Sequence, residues 1–168
     1  MRRSGTMRRF AIAAAVVLAC GPAAAADIVE TATASGQFTR LLQAARAAGL
    51  EPALRAPGPL TVFAPTDAAF EAMPPGTAER LMDPANKAVL AGVLGHHVLA
   101  GRLALADVAG KDADVKALNG QSLTVNGQND EVTVNGAPVA KGDIQADNGV
   151  IHVIGRVLIP PTPVQPRM

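Results

Sequence analysis

The chain has no tryptophan, no tyrosine and four phenylalanines in 168 residues. Its core must therefore be aliphatic, built from Leu, Val, Ile and Ala. Exposed aromatics on which single-stranded nucleic acid would stack are missing too. No basic stripe takes their place, since 15 Lys and Arg face 14 Asp and Glu. The electrostatic footprint of a nucleic-acid binder is absent. One cysteine, Cys20, leaves no intrachain disulfide. No apolar run reaches the roughly 20 residues of a membrane-spanning helix. There is no Gly-x-Ser-x-Gly elbow, no catalytic cysteine, no phosphate-binding glycine loop and no paired metal motif. What is present is 49% hydrophobic and 17% charged sequence. That is the balance of a folded domain rather than a disordered chain, at a length suited to one domain.

Residues 1–26 carry the parts of a secretory signal peptide. Arg2, Arg3, Arg8 and Arg9 make a basic start, Phe10 to Ala19 an apolar run, Gly21-Pro22 a break, and Ala23 to Ala26 small-residue cleavage sites. Cleavage is expected after Ala25 or Ala26, which makes the protein secreted or periplasmic. Val17-Leu18-Ala19-Cys20 also permits lipoprotein processing, and membrane contact is expected only if Cys20 is lipidated that way. Arg8-Arg9 before Phe10 is an incomplete twin-arginine pattern, so the Sec route is expected. Removing the four arginines from the 15 basic residues leaves 11 against 14 acidic ones, a mildly acidic mature chain.

Helix signals fill the first half. Ser35 can cap a helix from about Gly36 to Gly49, with Phe38, Leu41, Leu42 and Ala45 as its buried stripe. A short helix at Glu51–Arg55 follows. Leu60–Ala64 reads as a strand that Pro65 stops. Thr66 and Asp67 can cap the next helix, which carries Phe70 and Met73; Phe63 and Phe70 belong to the core. A further short helix is expected at Thr77–Met82. Asp83-Pro84 opens another, with Val89, Leu90, Val93 and Leu94 inward and Gly95 as its terminator. His97–Leu99 reads as a strand, and Leu103–Val108 as a turn or short helix. On such a strand His96 and His97 would face opposite sides, with His97 inward, neutral and hydrogen-bonded.

From Val115 the pattern is β. Asn119-Gly120, Asn126-Gly127, Asn135-Gly136 and Asn148-Gly149 are tight-turn pairs. Thr-Val-Asn-Gly occurs twice, at 124–127 and 133–136, as similar turns of a meander. Asn148-Gly149 sets the register of a last long strand from Val150, and a β-branched residue at 149 should destabilise strongly if φ is positive there. His152 then shares a face with Val150 and Ile154. Lys141-Gly142-Asp143 reads as a polar turn that exposes Asp143. Helices first and strands second predict an α+β architecture with an antiparallel sheet.

Three segments resemble fasciclin (FAS1) domains. Leu60-Thr61-Val62-Phe63-Ala64-Pro65-Thr66-Asp67-Ala68-Ala69-Phe70 is similar to the family's first signature block. Leu94-Gly95-His96-His97-Val98-Leu99 is similar to its Tyr-His motif. The run from Asp143-Ile144 through Asn148-Gly149-Val150-Ile151-His152 to Pro160 is similar to its second block. Their order predicts one FAS1 domain over residues 27–161, followed by a proline-rich tail at 162–168. The resemblance implies a β-sheet wedge or sandwich with several helices, and an extracellular or cell-surface role in adhesion or macromolecular contact. It associates Asp143-Ile144 and His97 with partner binding. His96 stands where the family usually has Tyr, and Gly155 where it often has Asp. The expected function is an exported, non-catalytic module that binds a protein or polysaccharide. The alternatives are a structural envelope protein without a specific ligand, and a metal-dependent or hydrolytic enzyme. Asp67, His97 and His152 are scattered without ligand-type spacing, so no metal and no cofactor is expected.

Overall fold

The computed structural model describes residues 26–128 and 131–160. The signal-peptide and lipidation expectations at residues 1–25, Cys20 included, and the tail at 162–168 lie outside the described residues.

Helix α1 spans Ile28–Ser35, where the Glu30 N–H donates to the Asp27 carboxylate at 2.8 Å, and it closes on Gly36 at φ 69°. Ser35 therefore ends a helix rather than starting one. Helix α2 is Thr39–Ala48. Its N-cap, Phe38, has no acceptor to offer, and Asp67 supplies one from across the fold: the Thr39 and Arg40 N–H groups donate to its carboxylate at 3.4 and 2.8 Å. Helix α3 (Glu51–Leu54) and strand β1 (Leu60–Pro65) follow. Helix α4 (Asp67–Glu71) is capped by Thr66, whose hydroxyl accepts from the Ala69 N–H at 3.3 Å. Helix α5 is Thr77–Met82. A 3-10 turn at Pro84–Asn86, capped by Asp83, leads into α6, Lys87–His96. Gly95 does not stop α6, and His96 and His97 are not on a strand. Leu90, Val93 and Leu94 are buried as expected, whereas Val89 is 37% exposed.

Strand β2 (Val98–Ala100) and helix α7 (Leu105–Val108) precede β3 (Asp112–Lys116), β4 (Ser122–Asn126), β5 (Thr133–Val134), β6 (Ala137–Ala146) and β7 (Gly149–Ile154). The seven strands lie in the order β2-β1-β7-β6-β5-β4-β3. The α+β class holds, but the sheet is mixed. β1 and β7 run parallel, from Leu60 opposite Gly149 to Pro65 opposite Ile154, while the other neighbours are antiparallel. A parallel pair needs a long crossover; here nearly the whole domain is that crossover.

Every residue of β7 is buried, the signature of a strand covered on both faces. Alternation along β1 and β7 serves two cores. Val62, Ala64, Ile151 and Val153 join α1, α2 and α6 in one, with Ile28, Phe38, Leu41 and Phe70. Phe63 and Ile154 join Leu123, Val125, Val134 and Ala137 in the other. The φ at Gly149 is not positive. The residue is glycine because a Cβ there would stand 2.0 Å from the Leu60 carbonyl oxygen of the parallel partner. Asn135-Gly136 does turn with both φ values positive, 47° and 78°, as a two-residue hairpin of the favoured hand requires.

Candidate binding surface

Strand β6 slips register against β7 between Val139 and Ile144, so Lys141-Gly142-Asp143 forms a bulge rather than a turn before the strand. Bulges re-aim side chains, and this one aims Asp143 outward at φ 55°. Asp tolerates that left-handed conformation better than most residues. The bulge is seated on His152. The Asp143 N–H donates to Nδ1 of His152 at 3.1 Å, and Nε2–H of His152 donates to the Leu103 carbonyl at 2.6 Å. One acceptor and one donor fix a single neutral tautomer. Burial lowers the pKa of His152, opposed by the Leu103 hydrogen bond and the charge of Asp143. Its ring lies 5.5 Å from that of Phe63. The Asp143 carboxylate also accepts from the Leu105 N–H at 3.1 Å, which ties the bulge to α7. A Cβ on Gly142 would meet Leu105 Cδ1 at 2.1 Å, so a side chain there would displace Leu105. Asp143 is thus exposed but rigidly mounted, and Ile144 beside it is half-buried against the helical core.

The two adjacent histidines lie elsewhere. His97 closes the C-terminus of α6 at 1% exposure. Its Nδ1–H donates to the Val93 carbonyl at 2.8 Å, and its Nε2 accepts from the Leu158 N–H at 2.9 Å. Burial pushes its pKa down to about 4, the Val93 hydrogen bond opposing and His96 adding to the fall. His96 is equally buried, so the expectation that one of the pair would face solvent is corrected: a helix end packed against the sheet covers both. Its ring nitrogens lie 3.3 Å from the side-chain amides of Asn119 and Asn135. Burial lowers its pKa as well, the Asn119 hydrogen bond opposing.

Residues 36–160 match the fasciclin domain family. The chain belongs to the fasciclin family. Protein sll1483 of Synechocystis is 44% identical over 147 residues, which is 88% of this chain and 81% of that protein. The transforming growth factor-beta-induced protein ig-h3 of Sus scrofa is 39% identical over 134 residues, 80% of this chain but 19% of that longer protein. A FAS1 domain pair from the insect cell adhesion molecule Fasciclin I aligns with a TM-score of 0.71 at 15% identity, covering 80% of this chain and 51% of that one. That neighbour shows the FAS1 fold.

Within this fasciclin domain, Asp143, Ile144 and His152 come together at the bulge. His97 does not join them. Sealed from solvent, it offers no contact to a partner in this conformation; it is a strut between α6 and the segment after β7. Thr66, Asp67 and Phe70 sit beyond the C-terminal end of β1, and Asn148 and Gly149 lie beside its N-terminal end. No group of three or more His, Cys, Asp or Glu side chains is placed to hold a metal among the described residues. Nor does a helix among them have the length and apolarity to cross a membrane.

Asn148 and Asn119 do more than turn the chain. Asn148 accepts from the Ile28 N–H at 2.9 Å and donates to the Leu54 and Ala56 carbonyls at 2.7 and 3.1 Å. Asn119 donates to the Gly92 carbonyl at 3.1 Å. An Asn before Gly reads as turn chemistry, so its second use as a long-range staple has no local signature.

Proposed function

We propose that the domain is an exported, non-catalytic binding module that engages a protein or polysaccharide at the cell surface or in the periplasm through the Asp143-Ile144 bulge. Family membership supports this, as does the adhesion role in the name of the insect neighbour. The observation that carries it is the mounting of Asp143. An exposed carboxylate, held at a left-handed φ by His152 and α7, is presented to a partner without an ordering cost. Under this reading nucleic acid is no partner, and a lipid on Cys20 would add a membrane tether.

The test is capture by chemical cross-linking on intact source cells, with wild-type protein against Asp143→Asn. Asn keeps an acceptor for the Leu105 N–H and tolerates the positive φ, so only the charge is lost. Saturable capture that drops at least tenfold in the variant is expected. Equal capture by both would remove the bulge from the contact. No saturable partner for either would instead place the protein among structural envelope components.

A further inference from the structure

The helical layer does not close completely over β1. A cleft of about 400 Å³ opens between α2, α3, α6 and β2, floored by Leu41, Leu54, Val62, Leu94 and Val98. It stays open because α6 turns small residues toward it, at Ala88, Ala91, Gly92 and Gly95. Its mouth is apolar too: Ala53 and Ala88 are exposed, and Leu118 is 49% exposed. Two polar side chains reach the lining, and both are spent elsewhere. His97 is engaged at both ring nitrogens, by Val93 and Leu158. The Asn119 amide group donates to Gly92 and its oxygen accepts from the Gln121 N–H. An occupant finds no hydrogen-bond partner among these side chains. A peptide, whose backbone groups each demand a partner when buried, is a poor fit; an aliphatic chain is a good one.

Of the charges beside the cleft, Arg46, Glu51 and Arg55 are joined by ion pairs, and Lys87 is a further cation. The Nζ of Lys87 lies 3.7 Å from where a Cβ on Gly49 would be, at the end of α2. Lys87 adjoins Ala88 and Gly49 adjoins Leu50, both lining residues. Among the described residues no carboxylate forms an ion pair with Lys87; the acids Asp27 and Glu51 pair with Arg46 and Arg55. From this charge complementarity and the apolar lining, we propose that the cleft binds a free long-chain fatty acid, its alkyl chain within and its carboxylate against Lys87. The volume falls in the roughly 300–1,000 Å³ range of small-molecule sites. The cleft shares no residue with the Asp143 bulge, so the two sites are separable.

The chain lacks Trp and Tyr, so a fluorescent polyene fatty acid can be titrated into the full-length expressed protein, as processed by the cell, with little intrinsic background. Saturable binding displaced by palmitate is expected. Ala53→Phe and Ala88→Phe fill the mouth from exposed positions, and each should weaken binding at least tenfold with an unchanged thermal melt. Lys87→Gln should weaken palmitate roughly fivefold, the scale of an exposed ion pair, and leave hexadecanol unaffected. Failure of palmitate to displace the probe would overturn the proposal. So would binding that survives both Phe variants, or binding to phosphatidylglycerol vesicles without binding to free palmitate.

Discussion

The two cores share β1 and β7 but are closed by different means. On the β side, Leu123, Val134 and Ala137 reach 0% exposure, and tight turns set the register. On the helical side, Ala-rich α2 and α6 cannot fill the space above Val62, and a cleft remains. The three histidines lie along the seam. His96 joins α6 to two hairpin turns, His97 joins it to the C-terminal segment, and His152 joins β7 to the Asp143 bulge. Regular strand alternation fills the centre of the β side and leaves a groove only toward β2 and β3, by Leu99, Leu103, Val115 and Ala117; helices that cover the same sheet with small residues leave an apolar cleft over β1 itself.

The strongest way to break both halves at once is Gly149→Val. Its Cβ would collide with the Leu60 carbonyl and pry β1 from β7. A loss of roughly 3–5 kcal/mol is expected, with amide protection falling together in α2 and in β3–β4 by hydrogen exchange. Protection retained in one half alone would show that the shared strands do not couple the cores.

Acid attacks the seam. His97 is neutral and buried in the folded state, with a pKa of about 4, against roughly 6.5 when unfolded. The unfolded chain takes up the proton first, so stability is full above about pH 6.5. It declines as pH falls toward 4, by about 3 kcal/mol from this group. His96 and His152 shift in the same direction. Denaturant midpoints between pH 7 and 4 should show the fall, and His97→Gln should flatten it.

The helical half can be weakened alone. Asp67→Ala leaves the Thr39 and Arg40 N–H groups of α2 without their acceptor and should cost about 2 kcal/mol. Thr66→Ala removes the α4 cap and should cost about 1 kcal/mol. Urea titrations check both, and protection in β3–β5 should be unchanged. If Thr66→Ala proves the more damaging, the cross-fold cap is not what holds α2.

Those two neighbours show what was legible. The cap by Thr66 is local, three residues from its donor, and could be read from the chain. Asp67 was read as a cap for the same helix, yet its carboxylate acts 27 and 28 residues away, where no local pattern points. Gly95 misled in the same fashion. It looked like a helix stop, but it is small because a Cβ would press on Asn119 at 3.3 Å, and α6 runs on through His96. Elements with self-contained signals, such as Thr77–Met82, were read to the residue. The parallel pairing of β1 with β7 was not, since either strand alone also fits an antiparallel neighbour. At the candidate site, the exposure of Asp143 was legible from its polar surroundings. Its positive φ and its seat on His152 depend on a register shift that the sequence does not mark.

The placement of β7 also sets an order of events in time. The strand that both cores need lies in the middle of the sheet, yet it is the last of the seven to be synthesised. Until Gly149–Ile154 arrives, β1 has no parallel partner and β6 lacks one edge. Contacts so distant in sequence make closure late and slow. Both cores of the domain therefore stay incomplete until its last strand is in place.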